Sequence, residues 1–541
     1  ANETTASASD ANPLDMISGW NDYRSDGNIR SGFALSRDGG ATWASFLLRP
    51  PAAHQTSVEG DPMSTFDPRT GTLWASAIAF GGNGGVYVAR KDPGDNVFQP
   101  SVMAVQTGGA DKCWMAAGPR FNVPNSTRVY IAYNQGLIWS DDMGTTWTSP
   151  RSLGSGIGFL PRVGPNGEVY VAYWDFGTGL FMQRSLDGGA SFTGHTIATR
   201  MDTWGTQDGS RFPGRFRVPP WATFDVDQNT GHLHAVYFDT TNIVNNQRNV
   251  DMYYTMSTNQ GTTWTTPRII NGDANPPGDQ FFAYIEVDQF SRLHVVSLDS
   301  RHTVQSDNTT NGMFDAYYTY SDDGGATWNE HRLTPASFNS ANDNIFGTSQ
   351  FIGDYLGIAV AGNTVSPHYV STQIGQTSIY THVIQFGPAN ATLDVVATTF
   401  GTRISGNINQ IRDSDDDYYV IQSAFGFLSS EPNVSELQVR ATWPAGTAAS
   451  MDITAEGKLN NPNGITRVRL NNFDTASFDT IGTFPSGIAE TVEMVNVAAA
   501  DPYINDTNGR IILRLRTIVV ATFSTSGFRA SWDNVQIAVT P

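Results

Sequence analysis

Cysteine and lysine are scarce in this chain of 541 residues. Cys113 is the only cysteine, so no internal disulfide can form. Lysine occurs only at Lys91, Lys112 and Lys458, so a lysine placed among other polar residues calls for an explanation. Apolar runs of membrane-spanning length are also missing from the sequence. These absences exclude a disulfide-stapled scaffold and predict no membrane insertion by a helix.

Charged residues make up only 15 % of the chain, the formal net charge is −19, and the sequence pI is about 4.7. Phosphate backbones and anionic membrane surfaces are bound by clustered Lys and Arg, which this balance disfavours. We therefore expect no nucleic acid partner. The low lysine content, the lack of disulfides and a start at Ala1 rather than Met fit a mature bacterial chain that is extracellular or at the cell surface.

An eight-residue pattern, Ser-x-Asp-x-Gly-x-x-Trp, occurs five times in the chain. The copies, called octets below, begin at Ser36, Ser140, Ser185, Ser257 and Ser321, with Phe192 ending the third and Asn259 replacing Asp in the fourth. In each, Ser and Asp can hydrogen-bond the backbone of a turn, Gly can adopt a positive φ, and the aromatic ring can cover the hairpin. The octets therefore predict stapled hairpins in a repeat fold.

The octets resemble the Asp-box, or BNR repeat, of the sialidase superfamily. The resemblance covers about residues 1–387. It implies a β-propeller that carries its boxes on outer hairpins, away from the central site, and it implies a carbohydrate ligand.

The strand-like units between octets predict an all-β fold with seven propeller blades, six being the alternative. An N-terminal strand is expected to pair with the last blade and so close the ring. After Pro388 the octets stop, and short alternating strands separated by Asn- and Gly-rich turns predict a β-sandwich accessory domain. We therefore predict a propeller over residues 1–387 and a sandwich over 388–541.

Polar and aromatic residues recur where the predicted blades begin. The first strand of each blade should line a central channel, so these residues should converge on one axis. The set expected to bind ligand comprises Asp111, Lys112, Trp114, Arg162, Arg217, Trp221, Asp279 and Asp354, with Asp61 and Tyr355 beside them. A rare Lys beside an Asp indicates an ion pair or an anion contact. The alternative is that these groups pair with one another and only close the channel.

The resemblance also implies hydrolytic machinery, namely an Arg triad for a substrate carboxylate, a Tyr nucleophile with a Glu base, and an Asp acid/base. Asp61 is the implied acid/base, Glu286 the base, and Tyr355 or Tyr284 the nucleophile. The candidate cations are Arg162, Arg217 and Arg301.

The chain departs from the family pattern at one point. No Arg-Ile-Pro type motif precedes the first octet, and the nearest match, Phe216-Arg217-Val218-Pro219, follows the third. This departure leaves open whether the protein is an enzyme. If it is one, an exo-sialidase-like glycoside hydrolase is expected.

No cofactor is required whether the protein is an enzyme or only binds its ligand. Calcium is the metal that the sequence suggests. Asp413, Asp415 and Asp417 lie in one acidic run. Their carboxylates suit Ca²⁺, although the run lacks the Gly and distal Glu of an EF-hand loop. A solvated acidic turn is the alternative.

Three functions are compatible with these patterns. The first is a carbohydrate-active or carbohydrate-binding protein with a glycan or polysaccharide at the channel mouth. The second is a non-catalytic extracellular platform for a cell-surface or matrix partner. The third is a polysaccharide lyase acting on a uronate-containing glycan, which needs a Tyr or His base and a cation.

Overall fold

The computed structural model divides the chain into two compact units, Ala1–Gln385 and Phe386–Pro541. It describes all residues except 25–27, 55–58, 177–178, 202–211, 245–246, 273–277, 304, 308, 344–350, 387–388, 413–416, 426–432, 444–447, 449, 506–507, 520–526 and 541. The predicted boundary at residues 387/388 lies outside the described residues. The chain is 57 % strand and 3 % helix, which confirms the all-β prediction.

The first unit is a β-propeller, and its described residues form seven sheets, each built from consecutive strands. The first four sheets contain β1 (Asn2–Ser9), β2 (Asn12–Asp22), β3 (Arg30–Ser36) and β4 (Ala44–Leu48); β5 (Glu59–Phe66), β6 (Leu73–Ala79), β7 (Gly85–Lys91) and β8 (Val102–Gln106); β9 (Trp114–Pro119), β10 (Thr127–Tyr133) and β11 (Gly136–Ser140); and β12 (Gly156–Val163), β13 (Val169–Asp175), β14 (Gly179–Ser185) and β15 (Thr193–Ala198). The last three contain β16 (Thr223–Val226), β17 (Leu233–Val244), β18 (Gln247–Ser257) and β19 (Arg268–Ile269); β20 (Gln280–Val287), β21 (Leu293–Asp299), β22 (Met313–Ser321), β23 (Asn329–Arg332) and β24 (Phe338–Asn339); and β25 (Gly357–Ala361), β26 (Thr364–Ser371), β27 (Ser378–Thr381) and β28 (Ile384–Gln385).

The first strand of each sheet, called its inner strand, contacts the inner strand of the next sheet. The series closes because β25 contacts β1 as well as β20. The expected pairing of an N-terminal strand with the last sheet is wrong, since β1 pairs with β2 in the first sheet. Closure comes instead from close packing, and a Cβ atom added at Gly357 would lie 2.5 Å from the Ala6 nitrogen.

Each octet forms the stapled turn that its sequence predicts. In the last copy, the Ser321 hydroxyl donates to the Asp323 carboxylate over 2.8 Å and accepts from the Gly325 N–H over 2.8 Å. The Thr327 N–H donates to Asp323 over 2.8 Å, and the Trp328 indole N–H donates to the Gly325 carbonyl over 3.1 Å. The copies that begin at residues 36 and 140 repeat these bonds.

The octets lie at the end of the sheets where the inner strands finish. Neighbouring strands are antiparallel, so the third strand of a sheet runs in the same direction as the first, and an octet follows the third strand. The octets also join adjacent sheets, because Trp328 of the sixth sheet packs edge-on against Tyr254 of the fifth with 5.1 Å between ring centroids. Apolar cores fill the space between neighbouring sheets in the same way.

The second unit is a β-sandwich of two six-stranded sheets. Its strands are β29 (Ala389–Asn390), β30 (Thr392–Phe400), β31 (Thr402–Ser405), β32 (Tyr419–Gln422), β33 (Ala424–Phe425), β34 (Asn433–Thr442), β35 (Ser450–Leu459), β36 (Gly464–Asn472), β37 (Ser477–Ser486), β38 (Thr491–Val497), β39 (Arg510–Val519) and β40 (Arg529–Thr540). One sheet has the order β31-β32-β40-β35-β38 with β29 on β40, and the other has β30-β34-β39-β36-β37 with β33 on β34.

Helix is confined to short 3-10 segments in the described residues. These are Ala52–His54, Ser340–Asn342, Ile408–Ile411 and Asp501–Tyr503. No helix in the described part of the chain is long and apolar enough to cross a membrane.

Candidate functional site

The inner strands share a backbone irregularity near their starts. Glu3, Asp61 and Lys112 have φ values of 55°, 48° and 52° in three successive sheets. Register shifts accompany Glu3 and Asp61, as they do Gly158 and Phe282 in later sheets. A β-bulge of this kind re-aims a side chain, and a positive φ is costly for a residue other than glycine. The repeated bulges bring charged side chains together where the inner strands begin.

Five charged residues, called the mouth cluster, meet at this end of the ring. They are Glu3, Asp61, Lys112, Arg217 and Asp354. The Lys112 ammonium lies 2.9 Å from Asp354, 3.3 Å from Glu3 and 3.7 Å from Asp61. Arg217 binds Asp354 in bidentate fashion, with N···O distances of 2.7 and 2.5 Å. The cluster thus joins residues from five sheets or from the segments that lead into them.

Acids and cations lie against one another in the mouth cluster. Burial raises the pKa of Glu3 well above its usual value, against the opposing charge of Lys112. Burial alone would also raise the pKa values of Asp61 and Asp354, but the Lys112 charge, with Arg217 at Asp354, holds both below the usual value. Three acids thus lie against two cations, and the attraction between them offsets part of the cost of burying these groups.

An amide and a thiol complete the floor of the cluster. The Asn21 amide donates to the Glu3 carboxyl over 2.6 Å and accepts from the Asp61 N–H over 3.0 Å. The Cys113 thiol donates to the Asp61 carbonyl over 3.3 Å. Burial raises the pKa of this thiol, so Cys113 has a packing role and not that of a nucleophile.

Two aromatic rings pack beneath the Lys112 ammonium, and a third packs against both of them. The ammonium nitrogen lies 5.1 Å from the ring centroid of Tyr355 and 5.8 Å from that of Trp221. Trp114 packs edge-on against both rings at 5.7 Å. Trp114 and Trp221 are 3 % and 4 % exposed, so neither offers a free face to a sugar ring, contrary to the role expected of them as ligand-binding residues.

Tyr355 is buried with its hydroxyl next to the charged groups. The hydroxyl has no hydrogen-bond partner among the described residues. Burial, with Glu3 and Asp61 nearby, raises the pKa of Tyr355 well above its usual value. A phenol that is 3 % exposed and hard to ionise is poorly suited to the nucleophilic role that the resemblance implies.

Arg217 and Asp111 are the members of this region that solvent reaches most readily. The Arg217 side chain is 33 % exposed, and its guanidinium lies 4.6 Å above the ring centroid of Phe351. Its Nη1 donates no hydrogen bond within the described residues. Asp111 is half-buried, and burial raises its pKa against the opposing charge of Lys112. These two side chains can reach a ligand at the mouth.

Arg162 and Glu286 belong to a second cluster, further along the inner strands. Arg162 donates to Glu286 over 2.7 Å, to the Tyr284 hydroxyl over 3.0 Å and to Asp225 over 3.0 Å. Gly158 packs on Trp221, one of the aromatic residues at the mouth. Arg162 comes four residues after Gly158, and four residues of strand span about 13 Å. Burial raises the pKa of Glu286 well above its usual value and that of Tyr284 to about 12.

Asp279 lies apart from both clusters, among acids of the fifth and sixth sheets. Its carboxyl accepts from the Val250 N–H over 3.2 Å. Burial, then the charge of Asp307, raises the pKa of Asp279 to about 8. Sequence reasoning placed Asp279 at the mouth because it precedes an inner strand, but the side chain turns toward β18.

The three candidate arginines do not meet. Arg217 pairs with Asp354, Arg162 with Asp225 and Glu286, and Arg301 with Asp299 and Glu330. Each guanidinium is therefore held by acids of the protein in a different place. The arginine triad implied by the resemblance is not assembled from these residues.

The acidic run of the second unit is only partly described. Asp413 and Asp415 lie outside the described residues. Asp417 is exposed and accepts a hydrogen bond from the Gln410 amide over 3.0 Å.

Glu3 and Asn21 are the residues at the mouth that sequence reasoning missed. Both belong to the first sheet, whose opening carries none of the charged pairs found in later blades. An acid directly before an alternating strand was the available signal. The inward direction of the Glu3 side chain depends on a bulge that only the strand register reveals.

No family model and no curated protein matches this chain. Among solved structures, the BP39L lectin from Burkholderia pseudomallei is 15 % identical with a TM-score of 0.39, over 71 % of this chain and 96 % of the lectin. A sialidase from Trypanosoma rangeli is 10 % identical with a TM-score of 0.35, over 99 % and 92 %. The intramolecular trans-sialidase from Ruminococcus gnavus is 13 % identical with a TM-score of 0.33, over 68 % and 89 %. Similarity at this level says nothing about ligand or chemistry, and the propeller described above rests on its own sheets.

Proposed function

We propose that the protein binds a hydroxyl-rich glycan at the mouth of the propeller channel without cleaving it. The observation that carries this proposal is the mouth cluster, in which three adjacent sheets hold charged residues at positive φ. Strain of this kind costs about 1–3 kcal/mol per residue and is concentrated at functional sites. A cluster needed only to close the channel could be built from unstrained residues.

The ligand class follows from the groups that remain available at the mouth. Within the described residues Arg217 keeps N–H donors at Nη1 that bond no protein group, while Asp354 and Glu3 hold Nε and Nη2 of its guanidinium. Asp111 offers a carboxyl group that can accept from or donate to hydroxyls. A prepositioned donor fork beside a carboxyl suits a sugar with vicinal hydroxyls or a carboxylate.

Several features favour binding over hydrolysis or lyase chemistry. The candidate nucleophile Tyr355 is buried, and Glu286 contacts Arg162 in the second cluster rather than the mouth. The mouth cations are already neutralised by Asp354 and Asp61, so they are weak partners for a uronate in an elimination reaction. We also propose an extracellular or cell-surface location, where such glycans occur.

The test is a glycan array, followed by calorimetric titration of the best ligand. Wild type should bind, and Arg217→Ala and Asp111→Asn should each weaken binding about tenfold or more, since a hydrogen bond with a charged group is lost. Arg37→Ala is the matched control, because Arg37 is exposed in the first octet at the opposite end of the sheets.

Three outcomes would contradict the proposal. If the wild-type protein binds no glycan on the array, the interpretation as a non-catalytic platform is favoured. Binding that survives both mouth substitutions would place the site elsewhere. Turnover of a fluorogenic sialoside or of a uronate polymer, lost in Arg217→Ala, would make the protein an enzyme.

A further inference from the structure

Three acidic side chains from separate parts of the second unit meet at one sheet. Within the described residues, carboxylate oxygens of Glu456, Glu490 and Asp533 all lie within 4.8 Å of one another. Asp533 is 1 % exposed, and both glutamates are half-buried. Carboxylates at this spacing repel one another unless a proton or a cation lies between them.

A β-bulge in β40 brings Asp533 into this group. Glu456 of β35 pairs with Asn534, whereas the next residue, Gly457, pairs with Trp532. Asp533 is therefore the extra residue of the bulge, and a bulge redirects the side chain that it carries. Val535 pairs with the buried Ala455 and Asn534 with the half-buried Glu456, so the bulge places Asp533 beside a residue on the Glu456 face of the sheet.

Asn534 gives a second, independent indication of a ligand. Its side chain is 8 % exposed, and its amide oxygen has no hydrogen-bond partner among the described residues. Residues directly opposite each other in a sheet share a face, with Cβ atoms about 4.5–5.5 Å apart, so Asn534 points to the side of Glu456. One buried carboxylate oxygen of Glu490 likewise lacks a donor in the described part of the chain. Buried acceptors without donors are what an oxygen-bound cation satisfies.

We propose that Glu456, Glu490, Asp533 and Asn534 bind a calcium ion on this sheet. Ca²⁺ takes six to eight oxygen ligands in flexible geometry and accepts carboxylate and amide oxygens together. The group contains no imidazole or thiolate, which zinc prefers. Mg²⁺ prefers a strict octahedron rich in water and should bind more weakly.

Lys458 is the competing cation. Its ammonium lies 3.7 Å from Glu490 and donates to the Tyr418 hydroxyl over 2.6 Å, and its side chain is 37 % exposed. The ammonium can therefore stay near the acids without metal and move into solvent when Ca²⁺ binds. If the cluster is a metal site, Lys458→Met raises calcium affinity. If Lys458 is the only counter-ion, the same change destabilises the unit and gives no calcium response.

The experiment uses the full chain after chelator treatment, titrated with CaCl₂ by calorimetry and with Tb³⁺ as a luminescent stand-in. Tyr418, whose hydroxyl donates to Glu490 over 2.8 Å, should sensitise Tb³⁺. We expect saturable binding at one site, and a Tm of the second unit about 5–10 °C higher at a hundredfold excess over Kd. Glu490→Gln and Asp533→Asn should each lose tenfold or more in affinity, and Lys458→Met should gain. Asp474→Asn, an exposed acid in another turn of the same unit, should match wild type.

Two results would overturn the assignment. One is the absence of saturable binding by wild type below about 1 mM, the weak end of protein calcium sites. The other is equal binding by wild type and Glu490→Gln. Because Glu490 is half-exposed, its variant keeps the test decisive even if Asp533→Asn fails to fold.

Discussion

At the scale of single residues, the buried acids of the propeller respond to their surroundings in opposite ways. Asp61 and Asp354 remain ionised because Lys112 and Arg217 lie against them. Asp279 accepts a hydrogen bond from a backbone N–H, but its neighbours are acids. Burial and these acids raise the pKa of Asp279 to about 8. Aspartates that lie near the starts of inner strands thus differ in protonation state at neutral pH.

Asp279→Asn should therefore change how stability depends on pH. The folded pKa of about 8 lies above the ordinary value of 3.8, so the contribution of this acid is complete at low pH and is lost as pH rises toward 8. Asparagine keeps the acceptor oxygen and removes this loss. Between about pH 5 and pH 7, the free energy of unfolding of the variant should rise relative to wild type by up to about 1.4 kcal/mol per pH unit. Urea midpoints at several pH values measure this, and a constant difference would refute it.

Sequence reasoning found the residues that are unusual by composition. Lys112 was singled out because lysine is so rare, and the structure places its ammonium among three acids. Glu3 was missed and Asp279 was assigned to the mouth because side-chain direction at a strand start depends on the local backbone. Arg162 was assigned to the mouth because its blade was taken to begin near Phe159, whereas Arg162 lies near the end of β12. The sequence shows that a polar residue precedes a strand, but not which way a positive φ turns it.

At the scale of elements, the octets are the most predictable part of the chain. Their hydrogen bonds are local, so eight residues contain nearly all the information that determines the turn. Even the departure at Asn259 keeps the geometry, because its amide oxygen accepts from Ser257 and Thr263 over 2.9 Å. Burial of the octet Trp depends on the neighbouring sheet, which the sequence does not reveal.

Trp328→Ala should destabilise the propeller by about 2 kcal/mol, less than the roughly 3–5 kcal/mol lost at a fully buried aromatic. The ring is only half-buried, but it contacts Tyr254 of the preceding sheet and bonds to its own turn. Chemical denaturation measures the loss, and the exposed neighbour Asn329→Ala is the control. An unchanged midpoint would show that the ring does not join the two sheets. Glycan binding should be unaffected, since the octets lie at the other end of the sheets.

At the scale of the whole molecule, the ring depends on backbone contact between its first and last sheets. Gly357 of β25 approaches the backbone of Ala6 and Thr5 too closely for a side chain. The Gly362 N–H also donates to the Asp10 carboxylate over 2.6 Å at the other end of β1. These contacts explain why the last sheet needs a glycine at the start of its inner strand.

Gly357→Ala should therefore lower the Tm of the propeller by several degrees, because a Cβ 2.5 Å from a backbone nitrogen forces β1 and β25 apart. In calorimetry the sandwich transition should stay in place if the two compact units unfold separately. Gly375→Ala is a useful comparison, since no heavy atom lies within 4 Å of the added Cβ, although its φ of 78° adds local strain. A larger loss at Gly375 than at Gly357 would contradict the closure role.

Closure by packing also has a consequence for the order of synthesis. The surfaces that complete the ring, β1 and β25, are separated by about 350 residues, so a ribosome must translate nearly the whole propeller before they can meet. Until then the nascent chain presents an open arc whose two terminal faces lack partners. Contacts so distant in sequence form slowly, and exposed sheet faces invite association between chains. Joining the first and seventh sheets should therefore be the late, chaperone-sensitive step in the maturation of this protein.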